Sequence, residues 1–207
     1  MVGKDPDCKR GRRQCAPRVI KRKIGKITRH ENFVGAPGFE NDIALVRLAE
    51  AVPLYADDAS ESNAMPVCLP WSRNDPGRSL REGDKVMLTG WGRITNNRRQ
   101  ATAALTKFSV STRTLRRLAV PVANNKCTNT DEFNINRQKQ ICAGGREGRD
   151  SCNGDSGGPI AYREFSDDPW YQVGLVSYGT SKCGQGEPGV YTKIEGYLDW
   201  IAKHLEP

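Results

Sequence analysis

Ser156 stands in Gly154-Asp155-Ser156-Gly157-Gly158-Pro159, a glycine-rich turn of the kind that presents a nucleophilic hydroxyl to solvent. A serine hydroxyl attacks poorly until a base removes its proton, and that base is usually a histidine held by a carboxylate. Only His30 and His204 are available. Gly154 has no side chain to block its N–H, and the N–H of Ser156 can point to the same spot, so the pair is a candidate oxyanion hole. The residue types point to acyl transfer through a serine, with no evident partner for the proton.

Further segments follow in order around this turn. Asn41-Asp42-Ile43-Ala44-Leu45-Val46-Arg47-Leu48, Gly90-Trp91-Gly92, Ser177-Tyr178-Gly179 and Gly189-Val190-Tyr191 together with the serine turn resemble the chymotrypsin/trypsin family of serine proteases. The resemblance runs through essentially the whole chain. It implies an all-β fold of two antiparallel β-barrels with a C-terminal helix. It further implies that Asp42 and Ser156 are catalytic, and that Asp155 is the activation switch, pairing in the family with an ammonium created by cleavage. Asp150, six residues before the serine, is implied to be the floor of the specificity pocket, with Ser177, Gly179 and Gly189 as substrate-binding residues. A carboxylate sunk in a pocket favours a cation, so the substrate is a protein with Arg or Lys at the cleavage site. Without its ammonium, Asp155 is expected to turn toward solvent and leave the oxyanion hole unformed.

Neither histidine fits the base. In the family the base precedes the aspartate by about 45 residues in an Ala-Ala-His-Cys context, whereas His30 lies only twelve residues before Asp42 in Ile27-Thr28-Arg29-His30-Glu31-Asn32-Phe33. His204 reads as a polar residue at a helix end, where a cation meets the dipole favourably. The triad histidine is therefore absent, and the chain is expected to be inactive as written. A non-catalytic homologue serving as an interaction module is the rival reading.

Seven cysteines, at 8, 15, 68, 127, 142, 152 and 183, leave one unpaired. The resemblance implies Cys127–Cys142 and Cys152–Cys183, and a Cys8–Cys15 loop like that of arthropod clip-domain proteases. Cys68 is left over, and in multidomain members that position is bonded to a pro-domain. Disulfides imply an oxidising compartment, so the expected location is extracellular, although Met1-Val2-Gly3-Lys4-Asp5 cannot be a signal peptide. The missing base, activation site, cysteine partner and export signal would all lie upstream of Met1, and one N-terminal truncation accounts for them.

With 207 residues, 37% of them hydrophobic, the chain can build one or two compact cores. Strands are expected at Asp42–Leu48, Lys85–Thr89, Gln172–Tyr178 and Gly189–Ile194. Tyr197, Trp200, Ile201 and Leu205 recur at helical spacing and predict an amphipathic terminal helix. The expected organisation is a remnant of the first barrel over 1–71, a linker over 72–83, and the second barrel with the helix over 84–207. A barrel missing strands leaves an open edge that invites aggregation.

Of the net charge of +8, most is local: eleven Lys/Arg face two Asp between Lys4 and Arg29. That region is a candidate polyanion-binding surface, although a solvated loop and edge strand whose lysines discourage strand pairing is the favoured reading. The run lacks interleaved aromatics, so nucleic acid is not an expected partner. No apolar stretch reaches the roughly 18 residues a membrane span needs. No cofactor or metal is expected, since Pro188 and Lys4 stand where sodium- and calcium-responsive family members carry Tyr and Glu.

Overall fold

Strand β3 (Lys85–Gly90) buries Val86 and Leu88 and exposes Lys85, the period of two that a half-buried strand requires. It pairs antiparallel with β6 (Arg116–Pro121), which sets Val120 opposite Val86 and Leu118 opposite Leu88, so the apolar side chains meet across the ladder. This is a computed structural model, and it describes residues 20–54, 64–78, 80–94, 110–111, 114–127, 135–179 and 183–205.

Four more strands complete the sheet: β7 (Gln140–Gly144), β8 (Pro159–Tyr162), β9 (Tyr171–Tyr178) and β10 (Pro188–Lys193), in the order β6-β3-β8-β9-β10-β7. Just past β6 the Ala123 N–H donates to Cys142 O at 2.8 Å and Val122 bridges Ala143, so the two outer strands approach each other. The sheet thus curls back on itself and removes most of its free edge. Val86, Val120, Ile141, Ile160, Val173 and Tyr191 fill its interior.

The N-terminal part contributes a ribbon of β1 (Ile24–Arg29) and β2 (Ala44–Leu48). Ile27 stands opposite Val46 and both are about half exposed, as are Ile24 and Leu48 beside them. Among the described residues no further strand covers this face. The architecture is consistent with the expected trypsin-type double barrel, and among the described residues the first barrel is represented by this ribbon alone. A short pair, β4 (Arg93–Ile94) with β5 (Val110–Ser111), lies beside the serine turn.

Helix α1 (Leu198–Leu205) buries Leu198, Trp200 and Ile201 against Tyr197 and Ile43, with Leu45 beside them, so it seals the ribbon onto the larger barrel. Asp199 in its first turn and Lys203 and His204 in its last complement the dipole. Leu205, expected on the buried stripe, is exposed because the helix ends there. The strand expected from Asp42 begins instead at Ala44, since Asn41 adopts a left-handed φ of 60° and Asp42 turns its side chain to a hydrogen bond. No helix among the described residues is long and apolar enough to cross a membrane.

The connection over 72–83 is held by its own polar side chains. Ser72 N–H donates to Asp75 Oδ2 at 2.8 Å, a 3-10 turn follows at Pro76–Arg78, and Arg78 reaches Glu195 at 3.4 Å. Cys127–Cys142 and Cys152–Cys183 form disulfides, while Cys68 is exposed and free. The expected Cys8–Cys15 pair, and most of the basic Lys4–Arg29 region, lie outside the described residues.

Candidate active site

Ser156 sits exposed at the end of a turn that its neighbours lock from three sides. Asp155 N–H donates to Cys152 O at 2.9 Å, Gly157 N–H to Val176 O at 2.8 Å and Gly158 N–H to Asp155 O at 2.8 Å. Gly154 has φ +97°, a conformation that a side chain would strain, and an added Cβ would lie 3.3 Å from Gly92 Cα. The Gly154 and Ser156 N–H groups donate to no acceptor among the described residues, which leaves both free for a reacting oxygen.

Asp155 overturns the expectation drawn for it. Its side chain is buried, with Oδ1 accepting from Gly92 N–H at 2.7 Å and Oδ2 from Cys152 N–H at 3.0 Å. Two backbone amides donate to its two carboxyl oxygens, so the side chain stays inside the turn without a cation beside it among the described residues. The seat exists because residues 90 and 92 are glycines: a Cβ on either would overlap the carboxylate. Behind this seat lies a cavity of about 380 Å³ bordered by Gly92, Asp155, Arg116 and Arg117.

A second cavity, of about 250 Å³, is lined by Ser156, Asp150, Ser177, Gly179 and Val176, and Asp150 borders both cavities. Asp150 Oδ2 accepts from Gly184 N–H at 3.0 Å, while Oδ1 is buried without a hydrogen-bond partner among the described residues. Burial pushes the Asp150 carboxyl above its ordinary range, against the hydrogen bonds from Gly184 and Ser151. Gly189 stands beside Gly179, since a Cβ added at Gly179 would lie 3.7 Å from Gly189 Cα; a Cβ added at Gly189 would come within 3.2 Å of the Tyr191 hydroxyl. Burial raises the Tyr191 phenol to about 12, and its oxygen lies 3.2 Å from Ser151 Oγ.

Asp42 comes from the N-terminal part, next to the ribbon. Its Oδ2 accepts from Ser177 Oγ at 2.6 Å, and its backbone O accepts from Thr192 Oγ1 at 2.8 Å. Both donors belong to the larger barrel, so the structure brings Asp42 to the wall that also carries Ser177. The histidines are engaged elsewhere. His30 stacks on Trp200 at 5.0 Å between ring centroids, and its Nδ1 accepts from Asn32 N–H. His204 lies on Trp200 at 4.7 Å with Nδ1 beside Trp200 O. Among the described residues neither bonds to Asp42 or Ser156. Glu31, which accepts from Trp200 Nε1 at 2.8 Å, is held below its ordinary value by hydrogen bonds from the backbone and from Trp200.

Sequence reasoning passed over Asn41, next to Asp42, and the residue that bonds it. Asn41 carried a signal, since it precedes Asp42 in a recognisable segment. Lys139, whose Nζ donates to Asn41 Oδ1 at 2.9 Å from 98 residues away, carried none. No group of three or more potential metal ligands occurs among the described residues.

The chain is similar in sequence to known proteins. The chain is 37% identical over 208 residues to CLIP domain-containing serine protease HP8 of Bombyx mori, covering 98% of this chain and 50% of that protein. It is 35% identical to Melanization protease 1 of Drosophila melanogaster (97% and 48% covered) and 37% identical to the Spaetzle-processing enzyme of the same species (98% and 48%). The chain spans about half the length of these curated relatives. The family profile described as Trypsin matches residues 10–201. The serine turn, the carboxylate pocket, the curled barrel and these matches agree, and the chain belongs to the trypsin family of serine proteases.

Proposed function

We propose that this chain carries the peptidase domain of a serine endopeptidase that cleaves after Arg or Lys, and that as it stands it binds such substrates without turning them over. The observation that carries the specificity is Asp150: one buried oxygen has no partner among the described residues, and the cavity that Asp150 lines is also lined by Ser156. A guanidinium or ammonium would supply the missing partner, and a neutral side chain would leave the carboxylate uncompensated. Ser156 would attack the scissile carbonyl, with the Gly154 and Ser156 amides taking the developing oxyanion.

Asp42 would orient an imidazole, and neither His30 nor His204 is placed to be that imidazole. Asp155 faces the rear cavity and would take an ammonium there in the activated form. The arthropod relatives named for melanization and Spaetzle processing support a place in an extracellular proteolytic cascade. Secretion fits the two disulfides. The exposed Cys68 would tether a pro-domain. Lys21, Lys23, Lys26 and Arg29 are exposed and would contribute to any polyanion contact.

The test is p-aminobenzamidine, whose fluorescence reports entry into a carboxylate-floored pocket. Binding by the 207-residue chain that is lost in Asp150→Asn supports the reading, and equal binding by both sinks it. The engagement of both histidines favours a second reading, a homologue that binds without catalysis. Turnover of a chromogenic arginine substrate that vanishes in Ser156→Ala would exclude that reading and the missing-base argument together.

A further inference from the structure

One turn of the larger barrel grips the segment that leads into Asp42 with three side chains. Gln140 Nε2 donates to Gly38 O at 2.9 Å, Asn136 Nδ2 to Glu40 Oε1 at 3.1 Å, and Lys139 Nζ to Asn41 Oδ1 at 2.9 Å. Lys139 Nζ also lies 3.3 Å from Glu40 Oε1. The turn is itself fixed. Asn136 O accepts from the N–H groups of Lys139 and Gln140, Gln140 Oε1 accepts from Asn136 N–H, and Lys139 O accepts from Lys193 N–H. The gripped segment is correspondingly constrained, since Asn41 is buried and left-handed and also donates to Asn32 O at 2.7 Å.

We infer that Lys139 is a positioning residue for Asp42: its ammonium fixes Asn41 from across the boundary between the two parts of the chain, and so sets where the next carboxylate meets Ser177. The inference rests on Asp42 being the carboxylate of the proposed active site. Two features single out Lys139 within the turn. It alone touches the residue adjacent to Asp42, and it bonds both Glu40 and Asn41, so it fixes that segment at two successive residues. Tyr197 OH also reaches Asn41 Oδ1, at a longer 3.3 Å, and the Lys139 ammonium stands 5.8 Å from the centre of its ring. The cation therefore organises both groups around that oxygen. A left-handed Asn that lost this bond would be free to relax toward ordinary backbone angles, and Asp42 would move with it.

The experiment uses the whole chain, labelled with carbon-13 at the aspartate carboxyl groups, with the Asp42 resonance assigned by its loss in Asp42→Asn. Lys139→Met is expected to shift the Asp42 resonance, Lys139→Arg to restore it, and Tyr197→Phe to leave it in place, each with a cooperative thermal melt retained. An unmoved Asp42 resonance in Lys139→Met, or no restoration by arginine, overturns the inference. Loss of the cooperative melt in Lys139→Met overturns it as well, because Lys139 would then hold the fold and not the carboxylate. p-Aminobenzamidine binding to the unsubstituted chain is read separately, so failure of the specificity reading is distinguishable from failure of this one.

Discussion

Ser177 donates its hydroxyl to Asp42 Oδ2 at 2.6 Å, joining residues 135 positions apart. A hydrogen bond to a charged group contributes roughly 1.5–3 kcal/mol. Ser177→Ala should therefore lower stability by about that amount, read as a fall in the urea midpoint at unchanged slope. A midpoint equal to that of the unsubstituted chain would show that the bond contributes nothing net.

Gly92→Ala should expel Asp155 from its seat, because the new Cβ falls where the carboxylate now lies. Overpacking of this kind costs about 1–3 kcal/mol. The Gly92 N–H would also lose its acceptor. Amide hydrogen exchange at residue 92 is the measurement, and it should accelerate well beyond the change at Val86 in the core.

The pH dependence of Asp150 has a definite sign. Its folded carboxyl titrates above the ordinary 3.8 through burial, so its contribution to stability is present below that value and is lost as pH rises through the raised one. Asp150→Asn should accordingly stabilise the unliganded chain at neutral pH and make little difference near about pH 3. Cation binding runs the other way: p-aminobenzamidine needs the ionised form and should weaken on acidification. Melting temperatures and affinities measured across the acid range check both halves.

The ribbon should limit solubility. Ile24, Ile27, Val46 and Leu48 are between 41% and 59% exposed on one face, an apolar patch of the kind that drives association. Replacing Ile27 and Val46 with threonine keeps β-branched residues in a strand while removing apolar surface. The double variant should stay monomeric at higher concentration by light scattering, with its thermal melt unchanged. Equal aggregation would place the sticky surface elsewhere.

The sequence by itself determined the fold family and marked the turn that carries Ser156 and the position of Asp150, because each is written in a short contiguous segment or in alternating apolar residues such as Val86 and Leu88. It also marked strands β2, β3, β9 and β10 and the terminal helix. It did not reveal β7, which is buried throughout and so shows no alternation, or β1, whose apolar residues face outward. Only the tertiary structure decided the state of Asp155, since local reasoning saw a carboxylate without a cation and could not see amides 92 and 152 converging on it. It likewise decided the surroundings of Asp42, because Ser177 reaches its carboxylate from 135 residues away and Lys139 reaches the adjacent Asn41 from 98. A hydrogen bond depends on a few ångströms of space, and spacing along the chain specifies that space only within a helix, a strand or a turn.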